Sequence, residues 1–280
     1  LQIGYSELKI RERLRISPRK NFDSFDQVMD NFRASYFAGA LMINRFQAKE
    51  EVQELFQSET WNGDSILELL NRHAVTPETF LHRLSQILPG IFKITELHYL
   101  RFEHLVGRNE IQLTKELNMP RTLVPSGVRL KEHYCRRWLP VSLLQVLEGK
   151  RQNGDFKKIL IRAQRAKFME SGDEVLFISI AHSLRLRTKM NRCVSLGLRV
   201  DNALKRKVKF LNDPQIPVIE VNQTCERCPL ENSQCSERTV PPSVYIREEQ
   251  EELLNKRLKQ LVTDYRGKNL KILKTSQRGK

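Results

Sequence analysis

LIRAQRAKFMESGDEVLFISIAHSLRLR, residues 160–187, decides how this chain folds. Alternating and continuous apolar runs flank Ser171-Gly172-Asp173, the pattern of two strands joined by a tight turn. Working outward, RCVSLGLRVD (192–201) reads as a third strand and IPVIEVN (216–222) as a fourth, with a basic crossover helix over 203–211. On the N-terminal side, HYCRRWLPVSLLQVLEG (133–149) reads as a short helix broken or kinked near Pro140. These elements predict a small α+β domain of ligand-binding type over residues 131–245, and an α+β class for the chain.

The first part of the chain is helical in character. The opening LQIGYSELKIRERL reads as a helix, and residues 21–57 as another, with Asn21 or Asp23 as its cap. Small residues crowd 33–40, which suits close packing against another element. DSILELLNRH (64–73) leads into PETFLHRLSQIL (77–88), with Thr76 placed as N-cap and Pro77 at the first helical position. Helix, turn, helix is the shape of a helix-turn-helix, whose second helix would offer His82, Arg83 and Gln86 to a groove. Pro89-Gly90 ends that unit. IFKITELHYLRFEHLV (91–106) alternates enough to be a strand or two, with a helix from about Leu97 as the alternative, and Pro120, Pro125 and Gly127 mark a connector. The divisions are therefore 1–60, 61–130, 131–245 and an amphipathic helix with a basic tail over 246–280. In that last segment Leu254, Leu258, Leu261 and Tyr265 are spaced four, three and four apart. Two heptads favour a helix docked on its own domain over a coiled coil. A homodimer is among the partners the chain as a whole allows. The tail RGKNLKILKTSQRGK reads as solvated and flexible.

Three cysteines stand within the eleven residues Cys225–Cys235, spaced C-x2-C-x6-C, in the stretch CERCPLENSQC. A C-x2-C knuckle lets two sulfurs approach one ion, and the following loop can bring a third. The stretch is too polar for ordinary core thiols. A fourth ligand would be Cys135 or Cys193, the remaining cysteines, with His133, two residues before Cys135, as a spare that could replace it. Cys193 lies in a strand pattern with an ordinary buried role, whereas Cys135 stands beside His133 and Arg136-Arg137, company that favours a thiolate. Cys135, Cys225, Cys228 and Cys235 are the predicted metal ligands. Zn2+ is the expected ion, with an iron–sulfur cluster as the alternative.

The net charge of +15 is unevenly spread over the 280 residues. Residues 1–100 carry 12 basic and 13 acidic side chains, and residues 101–280 carry 36 and 20. Lys150–Lys167 and Arg185–Lys209 dominate the excess, a field that attracts polyanions. The helical pair at 64–88 has the opposite balance, which disfavours DNA contact there. Neither a bilayer-spanning apolar run nor a phosphate-cradling G-x-x-x-x-G-K occurs, and no H-E-x-x-H does. His98 and His104, six apart, do not share a face of one helical turn. An odd cysteine count in a highly charged chain fits a reducing cytoplasm. Leu1 opens the chain inside a helical pattern, so an upstream part is expected.

ASYFAGALMINR (34–45) resembles a helix of the ImmA/IrrE metallopeptidase-like family, and HYCRRW (133–138) with CERCPLENSQCSERTVPP (225–242) resembles the C-terminal region of the short-chain fatty acyl regulators. The resemblance spans roughly residues 25–45, 64–88 and 132–242. It implies a bacterial transcription factor with an upstream Xre-type helix-turn-helix, a peptidase-like centre and a GAF-like ligand domain before the cysteines. Asn31 stands where that family's active members have a zinc-binding glutamate, Ser35 replaces the family asparagine and Asn44 the usual proline. The implied function is the effector-sensing part of a regulator whose peptidase activity is lost. Its effector would be an acyl-CoA or other anionic small molecule, its DNA reader would lie upstream, and it would not bind membrane. Two alternatives are a zinc peptidase that cleaves a repressor, with catalytic histidines upstream, and a direct nucleic-acid binder using the basic C-terminal half.

Overall fold

The computed structural model describes residues 2–10, 25–108, 110–118, 132–153, 159–184, 190–231 and 233–276. The caps foreseen at Asn21 and Asp23, the connector prolines and Gly127, and Arg185–Lys189 lie outside them. The fold is α+β, as expected: helices around a six-stranded mixed sheet. Its strands are β1 (Leu97–Leu105), β2 (Ile111–Asn118), β3 (Ile159–Phe168), β4 (Glu174–Ser183), β5 (Met190–Arg199) and β6 (Val218–Val221), in the order β2-β1-β5-β4-β3-β6. Neighbours are antiparallel except β3 and β6, which run parallel. The β3–β4 hairpin turns where foreseen, with Gly172 at φ 72°, a left-handed position that a glycine takes without steric cost.

The helices are α1 (Gln2–Glu7), α2 (Phe25–Met42), α3 (Arg45–Gln57), α4 (Gly63–Arg72), α5 (Pro77–Ile87), α6 (Leu139–Gln152), α7 (Asn202–Lys207) and α8 (Ser243–Ser276). The single helix expected over 21–57 is two. The break falls at Ile43-Asn44, where the Asn44 carboxamide accepts the Phe46 and Gln47 N–H groups and so starts α3. Thr76 caps α5 and Pro77 opens it, as the sequence indicates. A π-helical turn, Leu88–Phe92, carries the chain through Pro89-Gly90 before β1. Pro140 does not break α6. It lies in the first turn, where a missing N–H costs nothing.

Two cores face each other across the sheet. On one side Leu97, Leu176, Ile178, Val194 and Leu196 pack under α3, α4 and α5, joined by Phe210 and Leu211 from the turn after α7. On the other, α6 covers Leu100, Phe102, Phe177 and Cys193. The fully buried Trp138 lies 5.3 Å from the Phe102 ring and 5.4 Å from Phe177, edge to face. One sheet therefore crosses the division drawn after residue 130. Its edge strand β2, polar along most of its length, carries no strong strand signal. At the N-terminus, Gly4 meets Ala34 so closely that a Cβ would fall 2.5 Å from the Ala34 carbonyl oxygen. The small residues of α2 do allow close packing, as expected.

α8 departs from expectation. Its stripe is not docked on the body: Leu254, Leu258, Leu261 and Tyr265 are all exposed, and the helix continues to Ser276 through what reads as a flexible tail. No helix of the described residues is long and apolar enough to cross a membrane.

Candidate functional site

The cysteine site is assembled by backbone pairing between two distant segments. Tyr134 and Thr224 form an isolated antiparallel bridge. The Cys135 N–H donates to the Gln223 carbonyl at 3.2 Å, and the Cys225 N–H to the His133 carbonyl at 2.9 Å. That lattice sets Cys135 beside Cys225 even though about 90 residues separate them, and loop-closure entropy must be overcome to do so. The buried Trp138 packs against Tyr134, whose ring meets Phe102 edge to face at 5.2 Å. β6 delivers the other segment from the sheet edge.

All four predicted ligands are buried and unlinked by disulfides, while Glu231, Ser233, Gln234, Ser236 and Glu237 around them are exposed. Cys135 lies within electrostatic reach of Cys225 and Cys228, and Cys235 within reach of Cys228. They are neighbours rather than a closed ligand shell. Among the described residues no three His, Cys, Asp or Glu side chains stand close enough to hold an ion as they are. Cys193 is elsewhere, in the core between sheet and α6, where burial pushes its thiol up to about 12. The thiolate-favouring setting expected for Cys135 is not found: burial raises its thiol to about 11, with the two neighbouring cysteines adding to the rise. Burial also raises Cys235, helped by Glu237.

The polar residues near the sulfurs are arranged to hold the knuckle. The Glu226 carboxylate accepts the His133 N–H at 2.9 Å and meets its Nδ1 at 2.8 Å, so His133 is already engaged and is not the spare ligand it resembles in sequence. The Glu226 carbonyl accepts the Val244 and Tyr245 N–H groups at 3.0 Å, which roots α8. Arg227 holds Glu132 in a two-pronged pair at 3.0 and 2.9 Å. Arg238 reaches between the cysteines. Its backbone N–H donates to the Cys235 carbonyl at 3.5 Å and its guanidinium to the Cys228 carbonyl at 3.4 Å. The Nε and second terminal nitrogen of that guanidinium are buried with no acceptor. Arg136, also buried, feels the charge of Cys225 and Cys135.

These features fit a thiolate-bound centre. Four thiolates around a divalent ion leave two negative charges, and sulfur-only donors suit Zn2+ or an iron–sulfur cluster. The buried Arg136 and the two acceptor-less nitrogens of Arg238 would balance part of that charge.

A second polar cluster lies on the opposite face of the sheet and has no local sequence signature. Glu78, in the first turn of α5, bridges Arg101 of β1 at 2.8 Å and Arg192 of β5 at 3.1 Å. Arg192 also holds Glu103 at 2.7 Å, Arg101 reaches Thr114 of β2 at 3.0 Å, and Lys115 lies 5.4 Å over the Tyr99 ring. Tyr99 Oη and His182 Nε2 are buried without a partner. Burial pushes Tyr99 up and His182 down, so both are neutral near pH 7. His82 packs edge-on to Tyr99 at 5.3 Å, and burial with Lys115 nearby holds it down to about 4.

The remaining candidates are taken up by the fold. Arg83 is buried, bonds Gln86 at 3.2 Å and covers the Tyr36 ring, so His82, Arg83 and Gln86 all turn toward their own chain rather than a groove. His98 and His104 share a face of β1, and His104 Nε2 meets the Arg108 carbonyl at 2.6 Å. Asn31 accepts from the Tyr5 hydroxyl at 2.8 Å. Within the basic 185–209 stretch, Arg192 and Arg199 are consumed by Glu78, Glu103 and Asp173, and Lys209 pairs with Glu59. In comparisons with known proteins, no family model, curated sequence or solved structure matches this chain.

Proposed function

We propose that this chain is the effector-sensing part of a cytoplasmic bacterial transcriptional regulator, of the short-chain fatty acyl regulator type, stabilised by one metal centre on Cys135, Cys225, Cys228 and Cys235. The observation that carries the metal reading is the approach of four buried, unlinked thiols from two distant segments, with two nitrogens of the Arg238 guanidinium left without an acceptor in the Cys228–Cys235 loop. Zn2+ is the first choice and an iron–sulfur cluster the second. When bound, the centre supplies cross-linking of the two segments; the chain's own residues position it, exclude water and balance its charge. DNA contact is assigned to a domain upstream of this chain, because the helix-turn-helix-shaped pair here spends its polar residues internally. Asn31, engaged with Tyr5, argues against a working peptidase.

The effector is placed at the Glu78–Arg101–Arg192 cluster. Arg101, Arg192 and Lys115 share only Glu78 and Glu103 there, so the cluster keeps one net positive charge beside the Tyr99 hydroxyl, which is buried without a partner; an anionic head group such as that of an acyl-CoA would balance that excess. A thermal-shift panel of acyl-CoAs tests this, since a ligand specific to the native state raises stability by mass action. No stabilisation at any member would remove the assignment.

The metal reading is tested by anaerobic purification with elemental analysis and a visible spectrum. The expected result is one centre per chain, colourless with Zn or brown with iron and sulfide. Cys225→Ser should lower metal content and destabilise the domain, because binding energy at such a site is folding energy. A folded, metal-free chain with all five thiols titratable on unfolding would overturn the proposal.

A further inference from the structure

We propose that α8 pairs antiparallel with α8 of a second copy, making the protein a homodimer. Leu254, Leu258, Leu261 and Tyr265 are 64, 60, 63 and 69 % exposed, on one stripe of a helix of 34 residues. Val262, also exposed, flanks that stripe. Their spacing alternates four and three, the seam of a two-helix coil. The helix leaves the body at the knuckle, held by the Glu226 carbonyl, and runs for about 50 Å. A contiguous apolar stripe on so long an exposed helix marks an interaction site.

Charge identifies the occupant. The segment before the seam carries Glu248, Glu249, Glu251 and Glu252 against Arg247, whereas Lys256, Arg257, Lys259, Arg266, Lys268, Lys271 and Lys274 follow against Asp264. A parallel pair would set acid on acid and base on base. An antiparallel pair centred between Leu258 and Leu261 sets Leu258 on Leu261 and Leu254 on Tyr265 of the other copy. The same register brings Glu251 opposite Lys268 and Glu248 opposite Lys271, at both ends of the coil. Like charges facing each other disfavour one orientation while opposite charges favour the other. The helix dipole alone does not explain the pattern, because its influence fades within a turn of either end and Glu251 and Glu252 lie further in.

Sedimentation velocity of the 280-residue chain over a dilution series tests this, with four variants. The wild type should be a dimer. Leu258→Glu with Leu261→Glu should give a monomer with unchanged tryptophan emission, because neither side chain touches the body. Glu248→Lys with Glu251→Lys should weaken dimerisation about tenfold or more, by making both ends of the coil repulsive. Adding Lys268→Glu and Lys271→Glu to that variant should restore it. A wild type that is monomeric throughout, or a dimer that survives the leucine substitutions, overturns the proposal. A dimer indifferent to the glutamate reversals overturns the antiparallel pairing, since a parallel coil is as repulsive before as after them.

Discussion

Replacing Glu78 by alanine removes the one carboxylate that ties α5 to two strands of the sheet. Arg192 would keep Glu103 at 2.7 and 3.1 Å, so its charge stays paired. Arg101 would keep Thr114 at 3.0 Å and a Glu103 oxygen at 3.9 Å, and so loses its strongest partner while remaining buried. Leaving a buried charge uncompensated costs about 3–5 kcal/mol. Here the carboxylate is partly exposed and one arginine remains served, which lowers the expected loss to about 2–3 kcal/mol, of which about 0.3–1 comes from the helix terminus. That corresponds to a fall in Tm of about 4–10 °C for a chain of this size. Urea unfolding followed by tryptophan emission is the assay, because Trp61 and Trp138 are buried on opposite faces of the sheet. Glu78→Gln, which keeps an acceptor without the charge, should lose about half as much. Arg101→Leu should be non-additive with Glu78→Ala by about 1 kcal/mol or more, as expected of groups in one network. Stability within about 0.5 kcal/mol of wild type for Glu78→Ala, the range of an ordinary surface change, would refute the reasoning.

Gly197→Ala places a Cβ 2.6 Å from the Phe177 ring and 3.1 Å from Val175 Cγ1; Phe177 is pinned by Trp138 and cannot retreat, so the variant should lose about 1–3 kcal/mol in urea. His82 is held near 4 in the folded protein against an ordinary 6.5, by burial and by Lys115, with Glu78 acting the other way and the Tyr99 ring against it. Its contribution is complete above pH 6.5 and declines as pH falls toward 4, because only the unfolded chain then binds the proton. Across that window the loss should reach about 3 kcal/mol, and His82→Phe should remove this part of the acid-side slope; an unchanged slope would contradict the assignment.

The sheet's centre was legible because β4 and β5 are buried along most of their length and read as apolar runs, while β3 shows a partial alternation leading into the Ser171-Gly172-Asp173 turn. β2 was not. Thr114, Lys115 and Glu116 make it polar on both sides, and its place is fixed by pairing with β1, a tertiary fact without a local signal. That Cys135 would lie near Cys225 was expected from the search for a fourth sulfur, but the Tyr134–Thr224 bridge that brings them together has no trace in the sequence. Sequence company also misjudged the Cys135 thiol: Arg136 and Arg137 are adjacent in the chain, yet burial outweighs them. The Glu78 cluster drew its members from α5, β1, β2 and β5, with Glu78 and Arg192 separated by 114 positions, so no spacing rule could reveal it. The α8 stripe was visible; that the body leaves it uncovered was not.

β6 has four residues, one neighbour and a parallel pairing that runs from Arg165 with Val218 to Phe168 with Val221. Short edge strands are where native proteins open first, while the antiparallel centre of a sheet holds until global unfolding. Peeling β6 would carry away the cysteine segment and the root of α8 together, leaving the other five strands intact. Anything that grips the sulfurs therefore acts as a latch on that edge, and amide exchange along Val218–Val221 becomes a local gauge of whether the latch is shut.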